Sequence, residues 1–188
     1  MHLKMGLVLL ALMTISCACS RSGFERENAI ARSHNPVGVE LHIQTKNHKR
    51  EFSAGEKLQF EEFYTSKYPG QWHIEVLEGV NGPANTDVVY IFDGKRSWTS
   101  SVNQSSIACC MTRHVWLGLE PTRVPYNAHP EDIFGGNPEY REFAVPDTPG
   151  KYEIYLTSDR LYSRDEKTET YSGKGTRMTS DIMSIRVR

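Results

Sequence analysis

The chain has 188 residues, with 22 Lys and Arg against 23 Asp and Glu, so its net charge is -1. That balance excludes a protein that grips nucleic acid through counterion release, and it points to no charged partner of either sign. Hydrophobic residues at 38% and charged residues at 24% suit one soluble domain around one core, and exclude both a disordered chain and a multi-span membrane protein.

Met1-His2-Leu3-Lys4 is a short positive start, Gly6 to Ile15 is an apolar run broken by Thr14, and Ser16-Cys17-Ala18-Cys19-Ser20 is a small-residue exit. This is the layout of a secretory signal, and the run is about half the roughly 20 residues that a spanning helix needs. The stretch Leu12-Met13-Thr14-Ile15-Ser16-Cys17 resembles the lipobox of bacterial lipoproteins, with Thr14 standing where Leu is usual. The resemblance implies diacylation of Cys17, with Cys19 after Ala18 as the alternative and ordinary cleavage without lipid as the other outcome. Each buried CH₂ contributes about 0.8 kcal/mol, so two or three acyl chains anchor a protein where one does not. Neither Ala18 nor Ser20 is the Asp that retains lipoproteins at the inner membrane, so the resemblance implies a place in the bacterial envelope at the outer membrane or in the periplasm.

Residues 1–19 therefore read as the signal segment and residues 20–36 as a flexible tether, since Arg21 to Pro36 mixes charges and amides and offers only Phe24 and Ile30 as apolar bulk. From residue 37 to 188 the pattern turns to period two, the mark of strands with one buried face. Val39, Leu41 and Ile43 alternate with Glu40, His42 and Gln44; Leu58 and Phe60 open a second strand, in which Glu61-Glu62 predicts a bulge or the strand's end. Trp72, Ile74 and Val76 alternate with His73 and Glu75, and Val88 to Phe92 ends at Asp93-Gly94, a hairpin signal. Ser97 to Ser106 is polar and shows no clear pattern. Ile107–Met111, Val115–Leu119 and Tyr140–Val145 read as short strands. Tyr152, Ile154 and Leu156 follow the turn Pro146-Asp147-Thr148-Pro149-Gly150, and Met183, Ile185 and Val187 form a final strand. The expected fold is an all-β antiparallel sandwich of seven to nine strands.

Tyr152, placed just after Pro149-Gly150, looks like the corner tyrosine of immunoglobulin-like and fibronectin-III-like sandwiches, whose hydroxyl bonds back to the chain upstream. The opening Leu41-His42-Ile43-Gln44-Thr45 with Phe52-Ser53-Ala54-Gly55-Glu56-Lys57-Leu58, and the closing Thr179 to Ile185, are similar to bacterial extracytoplasmic immunoglobulin-like modules. The resemblance implies an immunoglobulin-like fold and leaves function open, because such sandwiches host many roles.

Cys109-Cys110 is an unusual pair; on a strand the two thiols point to opposite faces, which favours one buried and one at the surface. A bond from Cys19 to one of them, or a metal held by Cys110 and His114, are the alternatives, and neither residue spacing nor the scattered histidines supply a complete metal set. His42 and His73 fall on the solvent sides of their strands and read as surface residues. Hydrolase, metalloprotease, phosphate-loop and dinucleotide motifs are missing, so neither catalytic residues nor a cofactor are assigned. Two long connections, 118–138 with Tyr126 and Phe134, and 158–178 with Tyr162 and Tyr171, are long enough to suggest binding segments. Trp98 lies in polar sequence and reads as exposed. The expected role is an exported, lipid-anchored envelope protein that binds another envelope protein or a glycan through its loops or a sheet edge. A carbohydrate-binding or enzyme-accessory domain using Trp98, Tyr126 and Tyr162, and a thiol or metal protein using Cys109, Cys110 and His114, are the rival readings.

Overall fold

The alternation at Val39, Leu41 and Ile43 becomes strand β1 (Val39–Thr45), with those three residues and Thr45 buried and the residues between them exposed or half-buried. The computed structural model describes residues 23–78, 88–101, 111–124, 141–164 and 175–188. Within them lie a helix α1 (23–32) and twelve strands. After β1 come β2 (Glu51–Phe52), β3 (Lys57–Ser66), β4 (Trp72–Glu78), β5 (Val88–Phe92), β6 (Ser97–Ser101) and β7 (Met111–Trp116). The series ends with β8 (Thr122–Arg123), β9 (Arg141–Ala144), β10 (Gly150–Ser163), β11 (Thr176–Thr179) and β12 (Met183–Val187). The count exceeds the expected seven to nine because β2 and β8 are only two residues each, and because β6 is a Ser- and Thr-rich strand with no apolar alternation to betray it.

Two sheets result. In the smaller, β3 pairs with β1 along one side and with β8 and β9 along the other. In the larger, β10 is the spine. Its Glu153 and Ile154 pair with both β12 and β5, and its Leu161 pairs with both β11 and β4, so these partners occupy opposite edges. β6 then extends β5, β7 extends β4, and β2 runs parallel to β12. All other strand pairs are antiparallel. Leu41, Leu58, Phe60 and Tyr64 from the smaller sheet share one core with Ile74, Val89, Ile91, Ile154, Leu156, Leu161 and Ile185 from the larger. Two sheets closing on one core make an all-β, sandwich-like body.

Several local readings need correction. β3 passes through Glu61-Glu62 without a bulge, in unbroken register with β1 from Thr45↔Phe60 to Val39↔Ser66. The inward series Leu58, Phe60, Glu62, Tyr64 simply includes a carboxylate, and Glu62 is fully buried. Glu61, on the other face, accepts a hydrogen bond from Gln44 Nε2 at 2.8 Å and lies 3.4 Å from Arg123 Nη1.

The segment expected to be a tether is docked instead. Phe24 of α1 is 3% exposed and stacks on Phe92 with ring centroids 5.2 Å apart, while Tyr155 lies 5.1 Å away. Asn28 Nδ2 donates to the Ser180 carbonyl at 2.9 Å. Asn35 both donates to the Thr179 carbonyl and accepts from the Thr179 N–H, each at 2.8 Å, so its side-chain amide imitates one rung of a neighbouring strand. One aromatic and two amides at the right spacing suffice to hold a segment whose composition is otherwise that of a spacer.

The connection expected over 158–178 is in large part a hairpin. β10 continues to Ser163 and returns as β11, leaving only 165–174 outside the described residues. The register shifts between Ser158 and Leu161, and Gly175 sits against that irregularity. A Cβ there would lie 2.6 Å from the Asp159 carbonyl oxygen and 2.8 Å from that of Leu161, so the close approach requires glycine. The corner at Tyr152 has the bond its position suggested: its hydroxyl donates to the Thr148 carbonyl at 2.7 Å.

Candidate functional site

In β4 the inward residue Ile74 is fully buried in the core, so alternation turns His73 and Glu75 to the outer face of the larger sheet. The antiparallel register then places Trp116 opposite His73 and His114 opposite Glu75 on β7, and Tyr162 opposite His73 on β10. Three strands thus build one row, Tyr162–His73–Trp116, with Glu75 and His114 as a second row beside it.

The rings are in contact. The His73 imidazole stacks on His114 with centroids 4.5 Å apart, on Tyr162 at 5.7 Å, and lies tilted against Trp116 at 4.8 Å. His114 Nε2 is 3.5 Å from Glu75 Oε1. His73 is only 2% exposed, which corrects its reading as a surface residue. The strand face was read correctly, but the aromatic neighbours on that face cover it. The carboxylate of Glu75 and the imidazole of His114 remain reachable, with side chains 23% and 35% exposed. One nitrogen from each histidine and one carboxylate oxygen lie within 4.8 Å of one another. Two imidazoles and a carboxylate are donors suited to borderline divalent metals, and the carboxylate can alternatively orient a protonated or N–H-bearing imidazole.

A different kind of surface adjoins this cluster. Leu117 follows β7; its N–H donates to the Trp72 carbonyl, and its carbonyl accepts from the Gly70 N–H, both at 2.9 Å. These bonds tie the turn before β4 to the end of β7. From these two segments come three exposed large hydrophobic side chains, Tyr68 at 42%, Trp116 at 47% and Leu119 at 70%. Among the described residues β7 pairs only with β4 and stands last in the order of the larger sheet.

Of the candidate residues from sequence, Tyr162 and His114 fall in this region. Trp98 does not: it pairs across from the inward-facing Ile91, packs half-buried against the core and meets Tyr152 edge-on at 6.2 Å. It is therefore half-buried, where its polar surroundings suggested an exposed side chain. Cys17, Cys19, Cys109, Cys110, Tyr126, Phe134 and Tyr171 lie outside the described residues. The residues that sequence reasoning missed are His73, Glu75 and Trp116. Their signal was the i, i+2 spacing of His73–Glu75 and of His114–Trp116, which on strands puts each pair on one face.

Among the described residues no helix is long and apolar enough to cross a bilayer. Comparison of the chain with protein-family models, with curated proteins and with solved structures found no match in any of the three.

Proposed function

We propose that this protein is an exported, lipid-anchored component of the bacterial envelope, an immunoglobulin-like sandwich that binds another envelope protein without turnover. The observation that carries the docking role is at β7, where Tyr68, Trp116 and Leu119 expose large apolar side chains beside a strand that, among the described residues, pairs only with β4. Such a strand offers a partner both ladder hydrogen bonds and aromatic anchors. The lipobox-like Leu12–Cys17 stretch supports the anchor. The immunoglobulin-like assignment is supported by the corner bond of Tyr152. It is also supported by the layering, in which β1, β3 and β9 take the places of strands A, B and E, and β12, β10 and β4 those of G, F and C.

Photo-crosslinking in intact cells tests this reading. A benzophenone side chain at position 116 or 119 is expected to give one discrete protein adduct, and the same group at Ile30, exposed on α1 at 52%, to give none. Equal labelling at all three positions, or at none, would refute docking at β7; an adduct to glycan strands would favour the carbohydrate-binding alternative. The anchor is checked by intact mass. An acylated N-terminal Cys17 (or Cys19) is expected, and a product retaining Met1 would overturn it.

A further inference from the structure

We infer that His73, Glu75 and His114 form a binding site for one divalent transition-metal ion on the outer face of the larger sheet. The site does not depend on the docking role of β7. Its donors are an imidazole from the middle of a strand, a carboxylate two residues along the same strand, and an imidazole directly opposite that carboxylate on the next strand. Two nitrogens and one oxygen form a three-residue set that leaves a coordination position for water or a further ligand, and they suit zinc, copper, nickel or cobalt better than calcium or magnesium.

The distances support the assignment. Metal–ligand bonds of about 2.0–2.2 Å in a tetrahedral arrangement place ligand atoms roughly 3.3–3.5 Å apart. The His114 Nε2 to Glu75 Oε1 separation of 3.5 Å already has that value. The widest separation in the set is no more than 4.8 Å. Closing it takes about 1.5 Å or less of side-chain movement, within reach of a rotation at the two donors that are partly exposed. His73 needs no freedom of its own, since Tyr162 and Trp116 hold its ring, while the partly exposed His114 turns out of its stack on His73 so that its in-plane lone pair meets the ion. A fixed buried ligand with two adjustable ligands nearer solvent gives the ion a path in and a rigid wall behind it.

The test uses the full chain without a histidine tag, stripped with chelator, kept reduced and titrated with Zn²⁺ and Co²⁺. The expected result is one equivalent bound, a raised melting temperature, and cobalt d–d absorption without the thiolate charge-transfer band that Cys109 or Cys110 would add. His114→Ala and Glu75→Gln are each expected to weaken binding by about tenfold or more. Both side chains are partly exposed, so the metal-free variants should melt close to the wild type. The Cys109→Ser/Cys110→Ser double variant is expected to bind as the wild type does. An absence of bound metal, an unchanged affinity in His114→Ala, or a thiolate band lost with the cysteines would each overturn the site. Because the metal titration is read on purified protein with no partner present, and crosslinking at positions 116 and 119 can be repeated in cells carrying His114→Ala, docking and metal binding fail or succeed separately.

Discussion

Asn35→Ala isolates the contact that fastens the N-terminal helix. The substitution removes two hydrogen bonds of 2.8 Å at once, one to the Thr179 carbonyl and one from the Thr179 N–H. Thr179 is 1% exposed, so water reaches its backbone only after the helix moves. A buried backbone group deprived of its partner costs about 1–3 kcal/mol. Asn35 itself is half-buried, which lets some solvent replace it and places the sum for the two groups near the lower half, about 2–4 kcal/mol. At about 2–4 °C per kcal/mol for a domain of this size, the melting temperature should fall by roughly 5–15 °C. Hydrogen exchange read segment by segment distinguishes two routes to that loss. If α1 is a separately opening unit, amides in 23–32 exchange much faster while those of β10 stay protected; if it is integral, both accelerate together. A melting temperature and a 23–32 exchange pattern indistinguishable from wild type would refute the docking argument and return this segment to the role of a free spacer.

Two further changes probe the sandwich itself. Tyr152→Phe removes only the hydroxyl bond to Thr148, whose exposed turn can take water instead, so the expected loss is about 1 kcal/mol and a few degrees of melting temperature by thermal denaturation. A Phe variant as stable as wild type would strip the corner bond of its structural role. For Tyr155, burial first, then the stacked Tyr90 ring and Glu27, push the phenol pKa up to about 12. The folded value lies above the unfolded value of about 10, so the phenol form is favoured by folding. That stabilisation is whole below pH of about 10 and fades as pH rises through 12. A phenolate absorbance titration should show a late-ionising component that shrinks by one tyrosine in Tyr155→Phe; a wild-type curve with every tyrosine ionising near pH 10 would contradict the burial argument.

Where one strand face meets the core and the other meets water, the sequence is readable. Val39, Leu41 and Ile43 announce β1, and Asp93-Gly94 announces the β5–β6 hairpin, whose Gly94 has φ +90. Tyr152 is legible because a corner hydroxyl needs only a local turn. What stays hidden is whatever depends on a distant partner. Phe24 has no meaning until Phe92 and Tyr155 are beneath it, and Asn35 none until Thr179 is alongside. The polar run Thr157-Ser158-Asp159-Arg160 looks like a loop, yet all four residues are buried. There Arg177 caps Asp159 through both carboxylate oxygens, and Arg160 Nε donates to Ser158 Oγ. The candidate metal site was half visible for the same reason. His73 and Glu75 share a face by spacing alone, but only the β4–β7 register brings His114 to them.

The fourteen-residue β10 is hydrogen-bonded to four other strands, drawn from residues 72 to 187. A member that splints so many distant stretches denies the molecule any half that could stand by itself. Excising either arm would leave raw ladder exposed along the same backbone, and a proline in the middle of the splint would unseat partners on both flanks. Assembly must therefore wait until residues 183–187 can join, which makes folding late, collective and slow for a chain of this length.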